Sequence, residues 1–447
     1  MWERAARAAV TNGDWAVAIE HASRASDYYL DRGQVRAAAR AQATAGQALR
    51  LWGRHAEARD QLTAAVKVLR AEPDADTVRA LDQLAILEVV AGSPDADTLS
   101  TEALTLGQAL VVDPGTLGHL FITRGIYLNF AGRRRPQAAA YFREAARLAT
   151  QADDNLALGR ALLNLADPLA VSDPAAAAEA ARAAAGHLRR IGARDRLAFA
   201  ISNLAQALLT LGDWDAVQAE LTQAAEADGL ADHGLLACDR GWLAALRGDT
   251  ATAQTMLAGL GDLRASEDPQ DKAEISVVEA FAAAAHRQPQ DALRHARATL
   301  AHADALGISH EFLRWAWPLA ARTAHDLGDT AAIRELLALL DPYQPGHLAP
   351  MQRAEGDLVR ARLAASDGDP AAAASFASAI RGLRELSTPY HLAHGLLDHA
   401  GHLSHLHDTE AAQEAIAEAD DIAHNLRCQP LLDRVAEITP AKSSVPH

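Results

Sequence analysis

Near the C-terminal end, His391, His394, Asp398, His402 and His405 follow one another in steps of three, four, four and three. Residues three and four apart share one face of a helix, so this stripe could carry two or three imidazoles to one metal ion, as zinc sites do. The same spacing describes a polar helix face that lines a groove or meets solvent. That second reading is preferred, because a histidine stripe on a long helix is more often such a face than a ligand set, and no carboxylate to orient the rings can be assigned from the sequence. No metal or other cofactor is assigned.

No other grouping completes a catalytic motif. A phosphate-binding loop needs a lysine after its glycines, and the three lysines, Lys67, Lys272 and Lys442, do not follow such a loop. Gly-x-Ser-x-Gly is absent, and His310-Glu311 continues as Phe312-Leu313-Arg314 instead of completing a zinc-protease motif. Two Pro-Asp-Ala-Asp-Thr segments, beginning at Pro73 and Pro94, lack the glycine and glutamate of a calcium loop. They read as N-caps at equivalent ends of helices. No catalytic residue is assigned, and the chain is expected not to be an enzyme.

Composition narrows the remaining classes. The formal net charge of −16 over 447 residues argues against direct binding of nucleic acid. Arg133-Arg134-Arg135, and Arg189-Arg190 with Arg194 and Arg196, are local exceptions that read as solvated loop charge or as docking points for an acidic partner. Two cysteines, Cys238 and Cys428, cannot build a disulfide framework. No apolar run approaches the roughly 18–20 residues of a membrane span, and no signal peptide opens the chain. A soluble, cytoplasmic protein is expected, with a homo-oligomer left open.

The elements that must position any site are helices. Turns recur at Gly13, Gly53, Gly92, Gly132, Ser172, Gly212, Gly248, Arg287, Gly328, Gly368 and His407, at separations of 40, 39, 40, 40, 40, 36, 39, 41, 40 and 39 residues. A glycine past a helix end closes it, and the Asp, Ser or Thr that often follows can cap the next helix. After each turn, small and large residues recur at helical spacing: Ala18, Ala22 and Ala25; Ala58, Leu62 and Ala65; Ala138, Phe142 and Ala145; Val217, Leu221 and Ala224; Ala412, Ile416 and Ala419. With only 4% aromatic residues, the core must be built largely from Ala, Leu and Val, which favours closely packed helices. Phe312, Trp315 and Trp317, with Pro318 in the same helix, read as core.

The segment Asn203 to Ala224, NLAQALLTLGDWDAVQAELTQA, resembles the tetratricopeptide repeat, as do Asn164-Leu165-Ala166, Arg124-Gly125-Ile126 and Arg240-Gly241-Trp242 before their turns. The resemblance covers nearly the whole chain, although the period of about 40 exceeds the family's 34. It implies an all-α, tetratricopeptide-like α-solenoid of about eleven helix hairpins, each expected to touch its neighbours along one curved rod. An array over 1–260, an irregular kink or linker over 261–271, a second array over 272–438 and a disordered tail over 439–447 are expected. Met1 opens inside the first hairpin, leaving little room for a leading helix.

In that family the first helix of each pair lines the concave surface. Carried across, this selects His119 and Thr123, Arg160 and Asn164, Phe199 and Asn203, and Leu235 and Asp239 as a partner-binding groove. Asn164 and Asn203 resemble the family's peptide clamp. Its paired lysines are missing, and Asp239 would oppose a carboxylate. The ending Asn425 to Val435 also resembles the close of the repeat region in large bacterial ATP-dependent regulators, some linked to a cyclase and others to a LuxR-type DNA-binding domain. This implies either a stand-alone relative or the repeat array of a larger chain. The function implied is a scaffold or sensor binding a protein or peptide on its concave face, in signalling or transcriptional regulation. The alternative is a small-molecule receptor with a pocket around Phe199, Trp242 or Trp315.

Overall fold

Turn chemistry closes the helices in the computed structural model, which describes residues 1–344 and 346–438. Gly212 and Gly248 take φ of 82° and 84°. Directly behind them, Asp213 accepts a hydrogen bond from the Ala216 amide and Asp249 from the Thr252 amide. At three other turns the left-handed position is held by Arg133, Arg287 and His407. The two Pro-Asp-Ala-Asp-Thr segments differ from expectation. Asp74 opens its helix with a reciprocal capping box, whereas Asp95 makes no side-chain cap and the two helices are different members of their hairpins.

Among the described residues there are helices and connections and no strand. Four of the five sequence-read trios are enclosed throughout, with Phe142, Leu62 and Leu221 as the large central members. In the fifth, Ala412 and Ala419 are buried while Ile416 is half-buried. Glycines on the facing helices receive those large side chains: Gly46 lies against Leu62 and Gly125 against Phe142. This is an array of tetratricopeptide-like hairpins. The first hairpin does have a leading helix, Trp2–Asn12, tied down by Glu3, whose carboxylate accepts from Arg40 at 2.6 and 2.9 Å.

Two compact units are present: Met1–Pro168 with Gly186–Ile191, and Leu169–Ala185 with the chain from Gly192 onward. The 261–271 segment lies within the second unit and contains the short helix Gly261–Arg264. The tail over 439–447 lies outside the described residues.

Within the second unit one expectation is corrected. Distant hairpins touch. Gly212 approaches Pro389 and Leu426, Gly248 approaches Pro430, Trp214 packs 5.8 Å from Tyr390, and Arg314 donates to the Ala170 carbonyl at 3.0 Å. The reason lies in inner helices that are enclosed around their whole circumference, with a few charged side chains such as Arg314 and Arg322 among apolar ones. Every residue from Phe312 to Ala324 in the helix Glu311–Asp326 is buried, so it must be surrounded.

Candidate functional site

The sequence-read groove residues fall into both units. In the first, His119 and Arg160 are brought together: Arg160 Nη1 lies 3.3 Å from His119 Nδ1, and His119 Nε2 lies 3.7 Å from Asp154. That contact, with backbone amides at its helix N-terminus, holds the Asp154 carboxyl down at about 2. Asp154 escaped the sequence reading, although an aspartate just before the helix Asn155–Ala170 was the available signal. Asn164 donates to the Arg160 carbonyl of its own helix at 2.8 Å. Thr123 is corrected to the interior, since it is buried and its hydroxyl donates to Asp82 at 2.6 Å.

In the second unit, Phe199 is exposed, and Asn203 and Leu235 are half-buried. Asp239 is likewise corrected to the interior. It is enclosed, and burial pushes its carboxyl up to about 8. Two of the eight groove positions, Thr123 and Asp239, thus become contacts between neighbouring helices. The proposed pocket aromatics are also core: Trp242 and Trp315 meet edge-on at 5.5 Å and are fully buried. Trp317 donates its indole N–H to the Leu336 carbonyl at 2.8 Å.

The histidine stripe leads to the most developed polar site. Its members meet different neighbours: His391 packs on Trp315, His394 on Tyr390, and His402 stacks on Phe376. Among the described residues, no three His, Cys, Asp or Glu side chains are placed to hold a metal ion. Around the stripe lie Arg322, Arg362 and Arg434. Asp398 sits between Arg362 and Arg434, ion-paired with both and hydrogen-bonded by Arg434. Arg434 Nη1 also approaches His394 Nδ1 at 2.8 Å, which makes that nitrogen the acceptor. Arg322 donates to the Tyr390 hydroxyl at 3.3 Å.

Burial governs the protonation of this interior. It depresses His391 and His394 well below the ordinary histidine range, and the adjacent arginines add to the effect, so both rings are neutral. It lowers Arg362 to about 9, raises the Tyr390 hydroxyl to about 12, and raises Glu355 to about 7 against the pull of Arg362 and Arg322. Glu355 Oε1, Arg362 Nε and the Nε2 atoms of His391, His394 and His402 are enclosed without a hydrogen-bond partner. Cys428 is pushed up to about 12 and Cys238 higher still, so neither thiol is a nucleophile near neutral pH.

Two clefts open onto this region, of about 660 and 420 Å³. Both are lined by Asp326 and Arg434. The larger adds Arg362, Asp398 and His402, and the smaller adds Arg322, Tyr390 and His394.

Fold and site define an all-α helical-repeat protein whose second unit carries a charged, partly unsatisfied interior. No family model matches the chain, and neither does any curated protein. Among solved structures it is similar to the APC/C hetero-tetramer Cut9-Hcn1, at 14% identity over 98% of this chain and 93% of that one, with a TM-score of 0.44. It is also similar to a Rap protein complexed with Competence and Sporulation Factor, at 11% identity over 89% and 98%, with a TM-score of 0.43. A monomeric IFIT1 mutant with Gppp-AAAA matches at 13% identity over 97% and 89%, with a TM-score of 0.35. At these identities neither shared descent nor shared partners follow.

Proposed function

We propose that the chain is a non-catalytic scaffold or sensor that takes up a segment of a protein or peptide partner along its inner faces, in a signalling or transcriptional regulator of the cytoplasm. The observation that carries the reading is the pair of clefts sharing Asp326 and Arg434. Charged groups enclosed with incomplete pairing are costly unless a partner completes them. The interior offers guanidinium groups, neutral imidazoles and carboxyls for recognition, and its thiols are inert. No helix among the described residues is long and apolar enough to cross a membrane.

Co-purification from the native host, with the intact chain as bait, is the direct test. Changing Asp326 to Asn and His402 to Gln, both of which line the larger cleft, is expected to weaken the captured partner while the chain still unfolds cooperatively. Unaltered capture removes both residues from the site, and no partner at all removes the reading. The second reading, a small-molecule receptor, is supported by cleft volumes within the roughly 300–1,000 Å³ range of small-ligand pockets. It predicts stabilisation by a metabolite in a thermal-shift screen, about 2.7 kcal/mol at one hundred times the dissociation constant. A partner-only scaffold is unmoved by metabolites.

A further inference from the structure

We propose that the helix Gln429–Ile438 is a resident strap on the inner side of the second unit, and that a partner protein displaces it with an amphipathic helix of the same pattern. That pattern is two apolar residues four apart, here Leu431 and Val435, with an arginine between them, here Arg434. The proposal rests on the reading of function above and supplies the chemistry of the segment taken up.

The strap begins at Arg427, whose left-handed backbone (φ 52°) ends the preceding helix and redirects the chain. Cys428 Sγ then donates to the Leu246 carbonyl at 3.0 Å, and Pro430 lies so near Gly248 that a methyl group there would stand 2.9 Å from its Cδ. The helix touches Gly234–Arg247, Pro389–His405 and Thr409–Leu426. Leu431 and Val435 are its buried residues. Arg434 reaches inward to Asp398 and His394, while Asp433 and Glu437 pair with Arg287 at 3.1 and 3.2 Å.

Three features make this occupant exchangeable. Asp398 is held independently by Arg362, so departure of Arg434 leaves no buried carboxylate without a cation. The pairs with Arg287 are exposed, at 68% for the arginine side chain, and exposed ion pairs are screened and weak. A ten-residue helix does not hold its shape alone in water, so its order depends on being docked. The strap also forms part of both clefts, giving Arg434 and Ile438 to the larger and Pro430, Asp433, Arg434 and Glu437 to the smaller. Its departure merges two clefts that already share Arg434 into one groove.

The test uses the full chain and a fluorescent synthetic peptide of residues 427–438. The intact chain is expected to bind it at least tenfold more weakly than a chain carrying Leu431→Asp and Val435→Asp, which frees the site. A peptide carrying Arg434→Gln should lose at least tenfold on the freed chain. Because that double substitution could unfold the protein, Arg287→Glu serves as a milder release. It should speed hydrogen exchange over 429–438 and admit a peptide carrying Asp433→Lys and Glu437→Lys, and both effects should revert when those two changes are also made in the chain. Peptide binding by neither released chain while both still unfold cooperatively, or equal binding of the Arg434→Gln peptide, overturns the proposal. So does dimerisation of a released chain that excess peptide fails to break, since the occupant is then a second copy. If the peptide fails while host partners still co-purify, the strap alone is lost; if both fail, the functional reading falls with it.

Discussion

Gly125 and Phe142 meet with no room for another atom. A methyl group at Gly125 would stand 2.5 Å from Phe142 Cε1 and 2.9 Å from two further ring carbons, and the ring is fully buried. The large central residue of one helix thus sets the identity of its neighbour on the facing helix. Gly125→Ala should gain about 1 kcal/mol of helix propensity and lose roughly 1–3 kcal/mol to overpacking, for a net destabilisation in urea unfolding. Adding Phe142→Leu should recover part of the loss. If Gly125→Ala is stabilising on its own, the packing assignment is wrong.

The enclosed carboxyls make stability fall as pH rises. Glu355 is raised to about 7, so the folded chain keeps a proton that the unfolded chain releases above about 4.5. Its favourable contribution is complete below that value and is lost as pH climbs through 7. The gap corresponds to roughly 3 kcal/mol. Asp239, raised to about 8, acts with the same sign, whereas Asp154, held at about 2, acts oppositely and only in acid. Glu355→Gln should flatten the decline of the melting temperature between pH 5 and pH 8 and raise it at the upper end. Buried His391 and His394 act oppositely in wild type and variant alike, so the difference between the two proteins carries the test: a difference in melting temperature that stays constant over that window contradicts the assignment.

The helices were legible because their punctuation is local. The Gly-Asp turns and the trios such as Ala138, Phe142 and Ala145 need only near neighbours along the chain to be recognised. Closure of the second unit was not, since Gly212 meeting Pro389 and Gly248 meeting Pro430 join remote turns whose residues have good local reasons to be there. The site was half visible. The histidine stripe pointed to the right helix, but Arg322, Arg362 and Arg434 went unremarked in an arginine-rich chain. A signal existed: Arg322, Arg362 and His402 are each forty residues apart, a polar column in register with the repeat on otherwise apolar inner helices. Thr123 and Asp239 were misplaced because a groove position and an interhelical contact carry the same repeat register.

That polar column gives the sharpest test of the interior. Arg362 is 6% exposed at its side chain, and Asp398 is the carboxylate it shares with Arg434. Asp398→Asn removes one negative charge and leaves two guanidinium groups facing each other in a poorly solvated site. Breaking a buried pair from one side typically costs about 3–5 kcal/mol, more than the pair itself contributes to stability. Adding Arg362→Gln should restore much of the stability, since the two amides can bond to each other and only Arg434, which is nearer solvent, keeps its charge. Denaturant unfolding of the single and double variants at pH 7 measures both effects. A single variant within 1 kcal/mol of wild type at pH 7 would mean that solvent already screens the site, and that the interior is wetter than its packing implies.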